Sequence, residues 1–149
     1  MHGREHLIML RKAALARDAQ VSKRRGLLLA ADTALRARAT ELERAESELN
    51  GAYLTWTATL ASDVLEPASI SACQAHVRAA AHKLENASVA HDAALAARQS
   101  CAWALAEVRA QAESNTQAIV GIRRRLARQQ NEAAQRQSEA DAVLGRRHP

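Results

Sequence analysis

Residues 7–49 read LIMLRKAALARDAQVSKRRGLLLAADTALRARATELERAESEL, a stretch in which apolar side chains recur at intervals of seven. The repeat consists of Leu7, Ala14, Val21, Leu28, Leu35, Leu42 and Leu49. A second series, three residues further on, is interrupted by Arg17, Arg24 and Arg38, whose long stems can cover apolar surface while their guanidinium groups reach water. A repeat of seven held over this length predicts a helix with one apolar seam, packed against another helix as a left-handed coiled coil.

A single break separates this helix from a second one. Pro67 lacks an amide donor and disfavours helix at the residue before it. Ser71 and Gln74 match a capping box, which predicts the start of the second helix. The seven-residue repeat then resumes at Ile70, Val77, Leu84, His91, Arg98, Leu105, Ala112, Ile119, Leu126 and Ala133.

The two repeats predict an all-α fold, a long antiparallel two-helix coiled-coil hairpin that forms one domain over residues 1–149. Helix 1 is predicted at about 4–62, the turn at about 63–69 and helix 2 at about 70–143.

The composition allows only a thin core. Alanine accounts for 36 of the 149 residues, phenylalanine is absent, and the aromatic residues are Tyr53, Trp56 and Trp103. Ala, Arg, Leu, Glu and Gln dominate and favour helix, so a β-rich or α/β fold is excluded. Folding back at the turn is expected to set Trp103 opposite Leu28 and Leu29, and Leu35 opposite Ala97, with large residues facing small ones along much of the length.

Glycines and cysteines lie inside the predicted helices. Gly26, Gly51 and Gly121 each cost about 1 kcal/mol relative to alanine there, and are expected to mark bends or close contacts rather than breaks. Cys73 and Cys101 are both on the second helix, about 42 Å apart at 1.5 Å per residue, which is too far for a disulfide.

Hydropathy predicts a cytosolic protein with no membrane span. The chain has no run of 18 or more apolar residues. The apolar patch at residues 7–10 is too short for the core of a signal peptide, and no small-residue cleavage site follows it.

The net charge changes sign from one segment of the chain to the next. Residues 1–40 carry nine Lys or Arg against three acids, residues 41–113 five against ten, and residues 114–149 seven against three. In a hairpin the two basic blocks come together, so one end is basic and the end with the turn is acidic. This asymmetry favours two different partners, one at each end, although ordinary solvation of the surface is an open alternative.

Chemistry-bearing motifs are not found. The sequence has no Gly-rich phosphate loop, nucleophile elbow or His-Glu-x-x-His pattern, and a two-helix hairpin is expected to offer no cleft. His2 and His6 share a helix face but lack a third metal ligand, and His91 falls on the seam, where packing is the expected role. We therefore expect no catalytic residues, no metal and no cofactor.

Two features suit binding and leave alternatives open. Basic clusters at residues 23–25 and 123–128 could face a protein partner, or nucleic acid or an anionic membrane surface, although consecutive residues point around a helix and no aromatics are interleaved for base stacking. Tyr53 and Trp56, just before the turn, either pack at the tip of the hairpin or form an exposed anchor for a partner.

Taken together, the chain resembles the small coiled-coil stalk proteins of type III secretion, the flagellar FliJ family and its injectisome counterparts of the YscO kind, which serve virulence. The likeness is one of pattern over nearly the whole chain: length, two long helices with one break, and a basic, Gln-rich C-terminal segment. Local likeness lies in Ala45, Glu46, Glu48 and Leu49 leading into Tyr53, and in Cys73, Val77, Ala80 and Leu84.

The resemblance implies a non-enzymatic stalk. Its terminal segments would enter the pore of the hexameric type III export ATPase, through Leu7, Leu10, Arg11, Arg123, Arg124, Arg125 and Leu126. Its turn region would face the cytoplasmic domain of the export gate, through Leu49, Tyr53, Trp56, Val77 and Ala80. Family members also bind export chaperones and act at the cytoplasmic face of the secretion apparatus. Two other classes stay open: a basic coiled coil that associates with nucleic acid, and a self-associating structural coiled coil.

Overall fold

The computed structural model describes residues 2–145, with side chains described from residue 4 to residue 144. It contains two helices, α1 at His2–Leu60 and α2 at Pro67–Gly145, of 59 and 79 residues. No strand occurs in the described residues. The helices pack against each other, which confirms the predicted all-α helical hairpin.

The turn is shorter than predicted because α2 begins earlier. α1 ends at Leu60, where the amides of Ala61 and Ser62 still donate hydrogen bonds to the preceding helical turn, at 3.1 and 3.3 Å. α2 begins at Pro67, and the amide of Ile70 donates to the carbonyl oxygen of Glu66 at 3.1 Å. Proline suits the first position of a helix because its missing N–H would have no intrahelical partner there. The prediction that Ser71 and Gln74 start the helix is therefore wrong.

Contacts between side chains give the register of the two helices. The guanidinium of Arg98 donates to Asp32 at 2.6 Å, and the ammonium of Lys83 donates to Glu48 at 2.9 Å. Nearer the turn, the Thr59 hydroxyl and the Cys73 thiol are 3.4 Å apart. As the residue number rises along α1 it falls along α2, so the helices are antiparallel and fold back at the predicted place.

The seam between the helices is built largely from alanine. In the described part of the chain the buried side chains are Ala45, Ala52, Ala80, Leu105 and Ile119. All seven members of the first repeat are half-buried. Arg98 and Ala133 of the second repeat are exposed. Small residues at buried positions allow close helix approach, but they also remove little apolar area from water.

The chain divides into two compact units. The terminal unit comprises residues 1–23 and 106–149, and the turn unit comprises residues 24–105. Four of the five buried side chains belong to the turn unit, and Ile119 alone to the terminal unit. In the terminal unit, every residue from 127 to 144 is exposed.

The expectation about Trp103 is wrong, and so is the part of the glycine expectation that concerned close contacts. Trp103 does not pack against α1, since its side chain is 79% exposed. It stands two residues from both Cys101 and Leu105, which places it about 200° around the helix from each of these seam positions. A Cβ added at Gly26, Gly51 or Gly121 would meet nothing within 4 Å, so the glycines do not mark close contacts.

The thin seam predicts a gradual thermal transition. We expect the isolated chain to be strongly helical by circular dichroism and to lose helix over a wide temperature range. Few side chains are buried, and segments of a long two-helix hairpin can unfold without the rest. Hydrogen exchange is expected to show the terminal unit opening before the turn unit. A sharp transition at high temperature would contradict this expectation.

Candidate protein-interaction site

The residues that the resemblance assigns to the ATPase contact all lie in the terminal unit. Leu7 and Leu10 on α1 are half-buried. Leu126 on α2 is half-buried as well. The cationic residues are exposed: Arg11, Arg123, Arg124 and Arg125. The apolar members therefore hold the two helices together, and the cationic members are the ones available to a partner.

Residues 123–125 spread cationic groups around the exposed side of α2. Successive residues of a helix differ by 100° in direction. Because Leu126 faces the seam, Arg124 points away from α1, and Arg123 and Arg125 lie on the two flanks. Arg128 follows Arg124 by one helical turn. A partner that surrounds the helix could meet all of these groups, whereas a flat surface could meet only some of them.

These cations lack carboxylate partners within the described structure. In the turn unit, Arg38, Lys83 and Arg98 each lie within 4.0 Å of a carboxylate, at 2.6–2.9 Å. In the terminal unit, Arg136 has one such neighbour, Glu132 at 3.8 Å, and none of the other described Lys or Arg side chains has a described carboxylate that close.

The charge balance of the two units differs in the same sense. The terminal unit has five Lys or Arg against two acids in residues 1–23 and eight against five in residues 106–149, a formal net charge of +6. The turn unit has eight against nine, net −1. Its acids concentrate near the turn, where residues 41–92 hold eight of them against three basic residues. The terminal unit therefore has the larger net charge, and that charge is positive.

An open groove in the terminal unit departs from the expectation that the hairpin has no cleft. It has a volume of about 580 Å³ and lies between the start of α1 and one flank of α2. The groove is lined by His6, Gln117, Ala118, Gly121, Ile122, Arg125, Leu126 and Gln129. Its half-buried members are Gly121, Ile122 and Leu126, so the floor is apolar and the exposed rim is polar. Among the described residues, no carboxylate lines it.

The residues assigned to the export gate lie in the turn unit and differ in availability. Tyr53 is 52% exposed, whereas Trp56, Leu49 and Val77 are half-buried. Ala80 is 3% exposed, so it supports the seam and could touch a partner only if the helices separated. Of the two alternatives for the aromatic pair, Trp56 fits packing and Tyr53 fits an exposed position.

Exposed apolar side chains outside the seam were missed by sequence reasoning. In the terminal unit they include Ile8, Met9 and Leu15 on α1, at 54–71% exposure, and Val120, Val143 and Leu144 on α2, at 39–63%. In the turn unit they include Leu29, Leu54, Val64, Val89 and Trp103. The signal was present, because these positions fall between the seven-residue repeats, where charged residues would be expected.

Groups for other chemistry are not brought together in the described structure. Among the described side chains, no three of His, Cys, Asp and Glu come close enough to hold a metal ion; the side chain of His2 lies outside them. Cys73 and Cys101 are free thiols, both half-buried. His91 is half-buried on the seam, 3.5 Å from the carboxylate of Asp92. Neither helix, over its described residues, contains a segment long and apolar enough to cross a membrane.

No protein-family model, no curated protein and no solved structure matches this chain.

Proposed function

We propose that this protein is a non-enzymatic central stalk of a type III protein export apparatus, acting at its cytoplasmic face. The terminal unit enters the pore of the hexameric export ATPase. The turn unit links the ATPase to the export gate, and export chaperones bind along the hairpin. The identity of the partners comes from the resemblance in sequence pattern, and the case for a partner at the terminal unit comes from the structure.

The observation that carries the proposal is the set of cations without carboxylate partners in the terminal unit. Arg123, Arg124, Arg125 and Arg128 are exposed, and the described structure gives none of them a carboxylate within 4.0 Å. Because they point in several directions around α2, an enclosing acidic partner suits them better than a planar one. Such a partner would also cover Ile8, Met9 and Leu15, which the hairpin leaves exposed.

Weak packing of the terminal unit supports the same proposal. Ile119 is its one buried side chain among the described residues. A partner that binds the folded hairpin and not the unfolded chain stabilises it by mass action, so a surrounding ring would supply stability that the seam lacks. The turn unit, with most of the buried alanines, can hold the hairpin together without that help.

The first test is co-elution with the hexameric type III export ATPase of the same organism, with ATP turnover recorded alongside. We expect one chain per ring and altered turnover. Absence of both a complex and any change in turnover, at low and moderate salt, would contradict the proposal.

The same cations could instead bind phosphates, which makes nucleic acid the competing function. The aromatic side chains that would stack on bases are absent from the terminal unit, since Tyr53, Trp56 and Trp103 all lie in the turn unit. Binding of a labelled duplex, measured as a function of salt, separates the two. Tight duplex binding that collapses with salt, without ATPase binding, would favour nucleic acid.

Light scattering tests self-association, and a stalk is expected to be monomeric.

A further inference from the structure

The groove beside Gly121 combines an apolar floor with a rim that carries the guanidinium of Arg125. Ile122 and Leu126 form the floor and are only half-buried by the hairpin itself. Gly121 keeps the groove open, because the position where a side chain would begin has nothing within 4 Å. At about 580 Å³, the groove has the size of sites that hold small organic groups, although it is open on one side.

The charges around the groove decide what it can accept. Arg125 lines it, and among the described residues no carboxylate lies in its wall or within 4.0 Å of Arg125. A ligand that fills the groove with an apolar group and places an anion at the rim satisfies both surfaces at once. A purely apolar ligand would leave the guanidinium of Arg125 without a counter-charge, and a purely anionic one would leave the floor in water.

We propose that this groove receives a large apolar side chain, with a carboxylate next to it, from the protein that surrounds the terminal unit. The inference rests on the proposed function and adds to it a specific anchor point: one protruding residue of the partner seats between the start of α1 and the flank of α2. Large side chains that fill a pocket and exclude water carry much of the energy of protein interfaces.

The test fills the groove without weakening the fold. Gly121→Met places a flexible apolar side chain into the open space, and methionine favours helix more than glycine does, so thermal stability should rise rather than fall. Gly51→Met is the matched control, since Gly51 is also in a helix with open space around it but lies in the turn unit. The probes are the hexameric export ATPase and 1-anilinonaphthalene-8-sulfonate, a small apolar ring that carries an anion.

We expect Gly121→Met to weaken ATPase binding by about tenfold or more, and Gly51→Met to change it by less than twofold. The dye should lose affinity in the first variant and keep it in the second. Unchanged ATPase binding by Gly121→Met would overturn the inference while leaving the stalk intact. If the wild-type chain does not bind the ATPase, the proposed function fails, and the dye then decides the groove: equal dye affinity in all three proteins would overturn it.

Discussion

Reversal of three terminal-unit charges, Arg123→Glu, Arg124→Glu and Arg128→Glu, is expected to weaken binding to the export ATPase by about 100-fold. Each substitution replaces an attraction with a repulsion, worth roughly 1 kcal/mol at an exposed interface, and the three together exceed 2.7 kcal/mol, about 100-fold. All three side chains are exposed and lack a described carboxylate within 4.0 Å, so the hairpin itself loses no ion pair. Fluorescence anisotropy of the labelled chain against the ATPase measures the effect.

The control for this prediction is a triple reversal in the turn unit. Arg36→Glu, Arg44→Glu and Arg78→Glu change the net charge by the same amount, at positions that are equally exposed. Long-range attraction should fall alike in both variants and be removed by salt. At moderate salt the control is expected to bind within about threefold of the wild type. If both variants lose binding equally, net charge and not the terminal-unit cluster explains the attraction.

The second large effect concerns stability, where Leu105 outweighs its neighbour Trp103. Leu105 is 4% exposed at the seam, and Trp103 is 79% exposed on the opposite side of α2. Leu105→Ala removes buried methyl groups and leaves a cavity, so it is expected to lower the free energy of unfolding by about 2–5 kcal/mol. Trp103→Ala is expected to change it by less than about 0.5 kcal/mol, although it deletes a larger side chain.

Urea unfolding followed by circular dichroism compares these two variants, with hydrogen exchange of residues 98–112 reporting local opening. Equal losses of stability would mean that Trp103 packs on something in the folded protein. An unchanged midpoint for Leu105→Ala would mean that the seam contributes little at this level. If Trp103→Ala leaves stability intact but lowers binding to the export gate or to a chaperone, its exposure would have a function.

The two units of the hairpin differ in packing and in charge. The turn unit contains most of the buried side chains and the ion pairs between α1 and α2, so it can hold the helices in register on its own. Among the described residues the terminal unit has one buried side chain and no ion pair between α1 and α2, and its formal net charge is +6 against −1 for the turn unit. A protein that folds with one part and binds with another gains from leaving the binding part loosely packed, because a partner then supplies the missing contacts.

Sequence reasoning was accurate where local rules suffice. The repeat on α1, the break just before Pro67 and the antiparallel order follow from a repeat of seven, helix propensity and the backbone chemistry of proline. The repeat on α2 was predicted less well, since Arg98 and Ala133 are exposed. It failed at the start of α2, because a capping-box pattern competes with proline at the first helical position and proline wins. It also failed for Trp103. The expected partners were chosen from the position of Trp103 along the helix axis, without regard to the side of α2 on which its side chain lies.

The amino-acid sequence by itself determined the fold class, the seam and the sign of the charge on each segment. These properties depend on which residues share a face of one helix, and helical geometry makes that a matter of counting. Only the tertiary structure decided which cations find carboxylates, which apolar side chains stay exposed and where a groove opens at Gly121. Those outcomes depend on the axial offset and spacing of two helices, which counting along a single helix does not provide.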